Sequence, residues 1–431
     1  MTTRFETLAL HGGYAPENAT RARAVPLHRT TSYTFDSAAQ AADIFALKEA
    51  GYFYSRVGNP TQNVLEERLA LLEGCGLAKD RGVAALALAS GTSGIFYSVI
   101  NLAKQGDNIV AAGNLYGGTH TMFEHLLPQF GITTHLAPVN DIAAMAGHIT
   151  AATKALYIEA IGNPGLDVAD IAAYADLALS VGLPLVVDAT FATPALLRPL
   201  EHGAHIVVHS LTKWIGGHGT AIGGVVVDGN NFDWNSPRFP LFSQPDASYH
   251  GLVWGRDCPL PPYITRMRTG PLRNLGACIS PDNAWVFLQG LETLSLRMER
   301  HSSNALAVAR YLEAHPKVAW VRYPGLENDA SHELAQRYLP RGCGGMVVCG
   351  LAGQGSKTGM EFVERLRLFS HLANVGDAKS LALHPASTTH SQLSEEEQKT
   401  AGVRPELVRL SIGLEHVDDI LADLEQALSS V

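Results

Sequence analysis

A chain of 431 residues that is 46% hydrophobic and 17% charged has enough apolar surface for a large buried core, which excludes a disordered or collagen-like chain. Lys plus Arg number 32 against 41 Asp plus Glu, a formal net charge of −9, so a basic surface that tracks nucleic-acid phosphates is disfavoured. A chain this large and this apolar is expected to cover surface on itself or on copies of itself.

In chain order, the start MTTRFETLALHGG has no apolar stretch behind its first basic residue, so a cleaved secretory signal is not expected. Residues 1–60 read as an irregular arm ending in the polar turn GNPT at 58–61. The uncharged run from Gly82 to Ala103 is long enough to imitate a membrane span. Its middle, Ser90-Gly91-Thr92-Ser93-Gly94, puts turn chemistry where a bilayer centre would be, so strand, tight turn and helix fit better. Strands are predicted at Ala84–Ala89, Asn108–Ala112, Ala155–Glu159, Leu183–Asp188, His205–His209 and Gly224–Val227, separated by amphipathic segments. Near-continuous apolar strands between helices imply a parallel or mixed sheet covered on both faces, with ligands beyond the strands' carboxyl ends.

The stretch 230–280, rich in Pro, Asn, Trp, Tyr and Arg, reads as an excursion over the surface, and one long helix is predicted from Pro281 to Ala314. Alternating strands and helices then run to the end, with a capping box at Ser394 and Glu397. The expected division is an arm at 1–60, a large domain at 61–284 and a smaller α/β domain at 285–431. The five cysteines (Cys75, Cys258, Cys278, Cys343 and Cys349) form no CxxC pair, which fits reduced thiols in a soluble cytoplasmic protein.

The strongest chemical signal is His209-Ser210-Leu211-Thr212-Lys213-Trp214-Ile215-Gly216-Gly217, an apolar strand entering hydroxyls, a lysine and glycines. A lysine at a strand end in a dry cleft loses proton affinity and becomes a nucleophile or Schiff-base donor, though most lysines are simply exposed. Asp188 ends LPLVVD, where a lone carboxylate needs a cation to stay ionised or else caps the next segment. Ser90-Gly91-Thr92 opens a helix and makes a candidate anion site, and Tyr116 could lay its ring over a flat ligand or pack in the core.

Two patterns are decoys. His202, His205 and His209 lack metal-ligand spacing. Ser210-x-x-Lys213, Ser302-x-Asn304 and Lys357-Thr358-Gly359 follow the motif order of serine penicillin-interacting enzymes, but a strand leads into Ser210 and a helix follows Lys357. A serine acyl-enzyme hydrolase and a non-enzymatic scaffold are the contrasting classes.

Lys213 in its motif, Asp188 before Ala189-Thr190-Phe191-Ala192-Thr193-Pro194, the Ser90–Thr92 turn and Tyr116 together resemble the pyridoxal-phosphate-dependent enzymes of Cys/Met metabolism. Tyr54-Ser55-Arg56, Asn59-Pro60-Thr61 and Arg409 in Val408-Arg409-Leu410-Ser411 extend the resemblance to essentially the whole chain. Further marks are Glu159-Ala160-Ile161-Gly162-Asn163-Pro164 and Val375-Gly376-Asp377-Ala378-Lys379-Ser380 leading to His384-Pro385-Ala386-Ser387.

The resemblance implies an α/β fold type I transferase, a mostly parallel seven-stranded sheet with a smaller C-terminal α/β domain. It implies pyridoxal 5'-phosphate held by Lys213 as a Schiff base, Asp188 on the ring nitrogen and Tyr116 stacked on the ring. Ser90, Gly91, Thr92, Ser210 and Thr212 would bind the phosphate, with Thr190 and Asn163 also at the cofactor. Tyr54 and Arg56 would complete a neighbouring subunit's site, within a homotetramer of site-sharing dimers. Arg409 would grip the substrate α-carboxylate, helped by Ser387 and near Asn163 and Tyr54. The implied reaction is γ-replacement, turning O-acetyl-L-homoserine and sulfide into L-homocysteine and acetate in methionine biosynthesis. The alternatives are cystathionine γ-synthase-type exchange, an O-succinyl donor, or a γ-lyase. His205 and Ala160 depart from the family pattern, and Gly118 stands where methionine γ-lyases carry a cysteine.

Overall fold

The computed structural model describes residues 3–16, 20–389, 391, 398 and 402–431. The capping box at Ser394 and Glu397 lies outside the described residues. Seven strands form the larger sheet: β1 (Ala84–Leu88), β2 (Asn108–Ala112), β3 (Thr133–Ala137), β4 (Thr153–Glu159), β5 (Leu185–Asp188), β6 (Ile206–Ser210) and β7 (Gly224–Asp228). Their order is β1-β7-β6-β5-β4-β2-β3, and β7 alone runs antiparallel to both its neighbours. β2, β4 and β7 are buried along their whole length, as expected of apolar strands covered on both faces. The carboxyl ends of β1, β2, β4, β5 and β6 therefore share one edge of the sheet, where the turns after them meet.

The apparent membrane span resolves into β1, the turn at Ser90 and the helix Gly91–Ile100. Among the described residues, no helix is long and apolar enough to cross a membrane. Ser90 caps that helix by accepting from the Ser93 amide at 3.0 Å.

A second sheet has the order β10-β11-β12-β9-β8, built from β8 (Val318–Arg322), β9 (Met346–Leu351), β10 (Ser370–His371), β11 (Leu381–Leu383) and β12 (Leu407–Ser411). It pairs antiparallel except between β10 and β11. The helices Leu294–Glu313 and Val417–Leu428 bury Ala305, Val308, Leu312, Ile420 and Leu424 against it in a core of its own.

Three expectations need correction. The predicted helix Pro281–Ala314 is two helices, Pro281–Glu292 and Leu294–Glu313, interrupted at Thr293. Apolar spacing continues through Leu291, Leu294 and Met298, so periodicity could not reveal the break. The stretch 230–280 is not laid over the outside: Trp234, Phe239, Phe242 and Tyr263 are buried, with Trp234 stacked on Tyr263 at 5.0 Å and on Phe242 at 4.8 Å. The arm is not wholly irregular either. It contains the helices Phe5–His11 and Ala38–Phe45, and Phe5 and Ala9 join the large core.

Candidate active site

A cavity of about 360 Å³ opens where the turns after β1, β2, β4, β5 and β6 meet residues 373–375 and Arg409 of the second sheet. Ser90, Gly91, Thr92, Tyr116, Asn163, Asp188, Thr190, Ser210, Thr212, Lys213 and Arg409 all line it. The strands of the larger sheet thus deliver Ser90 and Lys213, 123 positions apart, to one edge, and Arg409 meets them from the second sheet.

At one end the chain offers an anion cradle. The helix Gly91–Ile100 starts at the cavity, so its unpaired amides point there. Gly91 is required by close approach, since a Cβ on it would stand 2.6 Å from the Ser210 Cβ. The Ser210 amide donates to Thr190 Oγ1 at 2.9 Å, which locks the end of β6 to the turn after β5. Thr212 lines the same end, with its hydroxyl donating to the Gly223 carbonyl at 3.2 Å and accepting from the Gly223 amide at 3.1 Å.

Deeper in the cavity is a pair of carboxyl groups. Asp188 and Glu159 are register partners on β5 and β4, so both face the same side of the sheet. Burial raises the proton affinity of Asp188, opposed by hydrogen bonds from Thr190, whose amide donates to Oδ1 at 2.9 Å. Burial, and then Asp188 itself, push Glu159 well above the usual carboxyl range. Asp188 is therefore a half-buried acceptor that a protonated ring nitrogen would satisfy.

Lys213 follows β6 in the connection 211–223, and its amine donates to Asn374 Oδ1 at 2.6 Å. Burial, with Arg409 adding its like charge, lowers the amine to about 8 from its ordinary 10.5. Arg409 projects from the middle of β12, opposite Val348 on β9 and Leu383 on β11. Its Nη1 donates to Asn163 Oδ1 at 3.1 Å, and burial lowers it to about 10, so it stays a cation at neutral pH.

Three expected residues stand elsewhere. Tyr54 and Arg56 do not line this chain's own cavity; the Arg56 guanidinium lies over the Tyr54 ring at 5.1 Å, and the ring is 42% exposed. Ser387 is exposed and not in the lining, and its hydroxyl pairs with His384 Nδ1 at 2.8 Å. Asn374 and Glu159 had no assigned role in the sequence reading, although Glu159 stood within a quoted motif. Asn374 carries no sequence signal of its own, since a polar residue in a loop is the commonest thing there.

The decoys dissolve into structure. His205 Nδ1 accepts from the Leu185 amide at 3.0 Å, and His209 Nε2 pairs with the buried Glu73 at 2.5 Å. Among the described residues no group of His, Cys, Asp and Glu is arranged to hold a metal. Lys357-Thr358-Gly359 sits in the helix Ser356–Arg365, and Asn304 donates to the carbonyls of Gly413 and Glu415. Neither joins Ser210 at the cavity.

An anion cradle, a half-buried carboxylate and a lysine of lowered proton affinity in one cleft fit a flat, phosphorylated aldehyde whose ring nitrogen carries a proton. Comparison with known proteins agrees. A family profile described as Cys/Met metabolism PLP-dependent enzyme matches residues 6–429. The chain is 50% identical to an O-acetyl-L-homoserine sulfhydrylase of Leptospira meyeri, over 99% of this chain and 97% of that protein. It is 51% identical to a homocysteine synthase of Schizosaccharomyces pombe, over 98% of each. A crystal structure from Campylobacter jejuni, described as a candidate O-acetylhomoserine (thiol)-lyase with N'-pyridoxyl-lysine-5'-monophosphate, superposes with a TM-score of 0.95. It is 42% identical and covers 99% of this chain and 100% of that one.

Proposed function

Because the chain belongs to the Cys/Met metabolism pyridoxal-phosphate-dependent enzymes, we propose that it converts O-acetyl-L-homoserine and sulfide to L-homocysteine and acetate. The observation that carries the reading is that the Lys213 amine and the Arg409 guanidinium open on one cavity, each held by an amide oxygen, from Asn374 and Asn163. Bound pyridoxal phosphate supplies an electron sink for negative charge at the substrate α carbon.

The chain's own residues supply the rest. Lys213 would attach the cofactor at rest and, once released, take the α proton with its neutral amine, pass that proton on to the cofactor and, neutral again, take a β proton. Asn374 accepts from that amine and so keeps it aimed into the cavity. Asp188 would hold the ring-nitrogen proton, and the Ser90–Thr92 helix start with Ser210 and Thr212 would hold the phosphate. Tyr116 would lie over the ring. Arg409 would fork the substrate α-carboxylate and so fix how the substrate lies in the cavity.

The acetyl ester fits the lining better than the succinyl one. Among the described residues that line the cavity the cations are Lys213 and Arg409, and both have other duties, so a second carboxylate on the acyl group finds no free cation in this chain's own lining. We further read Tyr54 and Arg56, exposed and off their own cavity, as serving a neighbour's site within a cytoplasmic homotetramer of site-sharing dimers. The division into arm, large domain from 61 and small domain from 285 belongs to the same proposal.

The test is direct. Purified protein given O-acetylhomoserine and sulfide should release homocysteine, and O-succinylhomoserine should react far more slowly. Cystathionine from added cysteine would favour synthase-type exchange, and α-ketobutyrate formed without any thiol would favour a lyase.

A further inference from the structure

Among the described residues, Glu159 is the one carboxyl in the cavity that the proposed reaction leaves idle. It ends β4, is 5% exposed, lines the cavity and stands in register with Asp188. A second buried carboxyl beside the one that answers the ring nitrogen is unfavourable if both are ionised. What Glu159 does in the structure is accept backbone hydrogen bonds: the Tyr116 amide donates to its Oε1 at 2.6 Å, and the backbone of Asn163 is its second partner.

The first of these bonds ties down the amide side of Tyr116, whose carbonyl accepts from the His120 amide at 2.9 Å. Tyr116 begins the short helix Gly117–Thr121 without a side-chain cap, and it is 48% exposed. On its other side the ring lies along Gly118, where a Cβ would stand 2.6 Å from Cε1. The Glu159 bond thus fixes the backbone from which the ring projects, while Gly118 leaves the room in which the ring lies.

We propose that Glu159 is a positioning residue that sets the height and tilt of the Tyr116 ring over the flat cofactor. This rests on the pyridoxal-phosphate reading above. It acts through an acceptor oxygen: burial, and then Asp188, raise the proton affinity of Glu159, and a neutral acceptor in its place should serve as well. A glutamine at this position keeps the acceptor, and an alanine removes it.

The experiment reconstitutes the wild type, Glu159→Gln, Glu159→Ala, Tyr116→Ala and the Glu159→Ala/Tyr116→Ala double variant with pyridoxal phosphate. It reads the cofactor dissociation constant and the visible circular dichroism of the bound cofactor, with far-ultraviolet spectra as the folding check. Glu159→Ala should weaken binding up to about tenfold and change the visible dichroism, whereas Glu159→Gln should stay within about twofold of wild type. In the Tyr116→Ala background, adding Glu159→Ala should cost less than about twofold more. The proposal is overturned if the alanine penalty persists undiminished without the Tyr116 ring, or if glutamine is as damaging as alanine. A wild type that fails to bind pyridoxal phosphate overturns the functional reading and this inference together, whereas a yellow wild type with uncoupled Glu159 overturns only the inference.

Discussion

The two walls of the cavity are built in different ways. The wall from the seven-stranded sheet consists of strand ends and small residues: Ser90, Gly91, Thr92, Thr190, Ser210 and Thr212 all sit within a residue or two of a strand or helix terminus. Its anion cradle works through backbone amides and short hydroxyls held at fixed spacing, with the side chains of Asp188, Glu159 and Tyr116 beside them. The wall from the second sheet reaches in with long side chains, Arg409 from mid-strand and Asn374 from the loop before β11. The first wall is limited by room and the second by charge and reach. Substitutions should therefore fail differently on the two sides.

The largest effect belongs to the residue where the walls touch. Lys213→Ala removes the attachment point and the proton carrier together, so turnover should fall by about 10⁴-fold or more and the absorbance of covalently held cofactor should vanish. A variant that kept both would break the whole assignment. On the far wall, Arg409→Lys keeps the charge and loses the planar fork. Losing about 2 kcal/mol of charged hydrogen bonding should raise KM for the amino-acid substrate roughly thirty-fold, with a smaller change in kcat. Equal losses in kcat and KM would show that the fork is not a ground-state grip.

Raising or lowering pH tests the contact between the walls. Burial disfavours the charged amine, so the proton affinity of Lys213 is lowered and its neutral, reactive fraction grows as pH rises through about 8. Capture of pyridoxal phosphate by the cofactor-free protein should slow about tenfold for each pH unit below that point. An inflection near the ordinary lysine value of 10.5 instead would mean that the amine is solvated. The smallest effect is expected on the near wall, where room is what counts. Gly118→Cys would press the Tyr116 ring, and cofactor affinity should drop about fivefold, as overpacking usually costs about 1 kcal/mol or more. Unchanged affinity would mean that the ring has space the near wall does not suggest.

This contrast also explains what could be read from the sequence. The near wall was legible because strand ends leave a double mark, an apolar run followed by small polar residues, as at Ala84–Thr92 and Ile206–Lys213. β3 was not, because TTHLA is edge-like, with part-exposed positions that break the apolar run. On the far wall Arg409 looked like any outward strand arginine, and only the family resemblance singled it out. Asn374 went unseen because its role depends on a lysine 161 residues away. The aromatic core of 230–280 was misread for a related reason. Pro and Asn signal turns locally, whereas the burial of Trp234 and Tyr263 is decided by their stacking on each other.

The loop that supplies Asn374 does more than offer one oxygen. The Ala378 amide donates to the Gly217 carbonyl at 2.8 Å and the Gly376 amide to Ser411 Oγ at 3.0 Å, so the same few residues are stitched both to the lysine turn and to β12. Mechanically, the second sheet and the lysine turn form one lever. Arg297 adds to that connection by donating to the carbonyls of Trp214 and Ile215 after the lysine and of Gly290 across the break at Thr293, so displacing the second sheet would displace the Lys213 backbone with it.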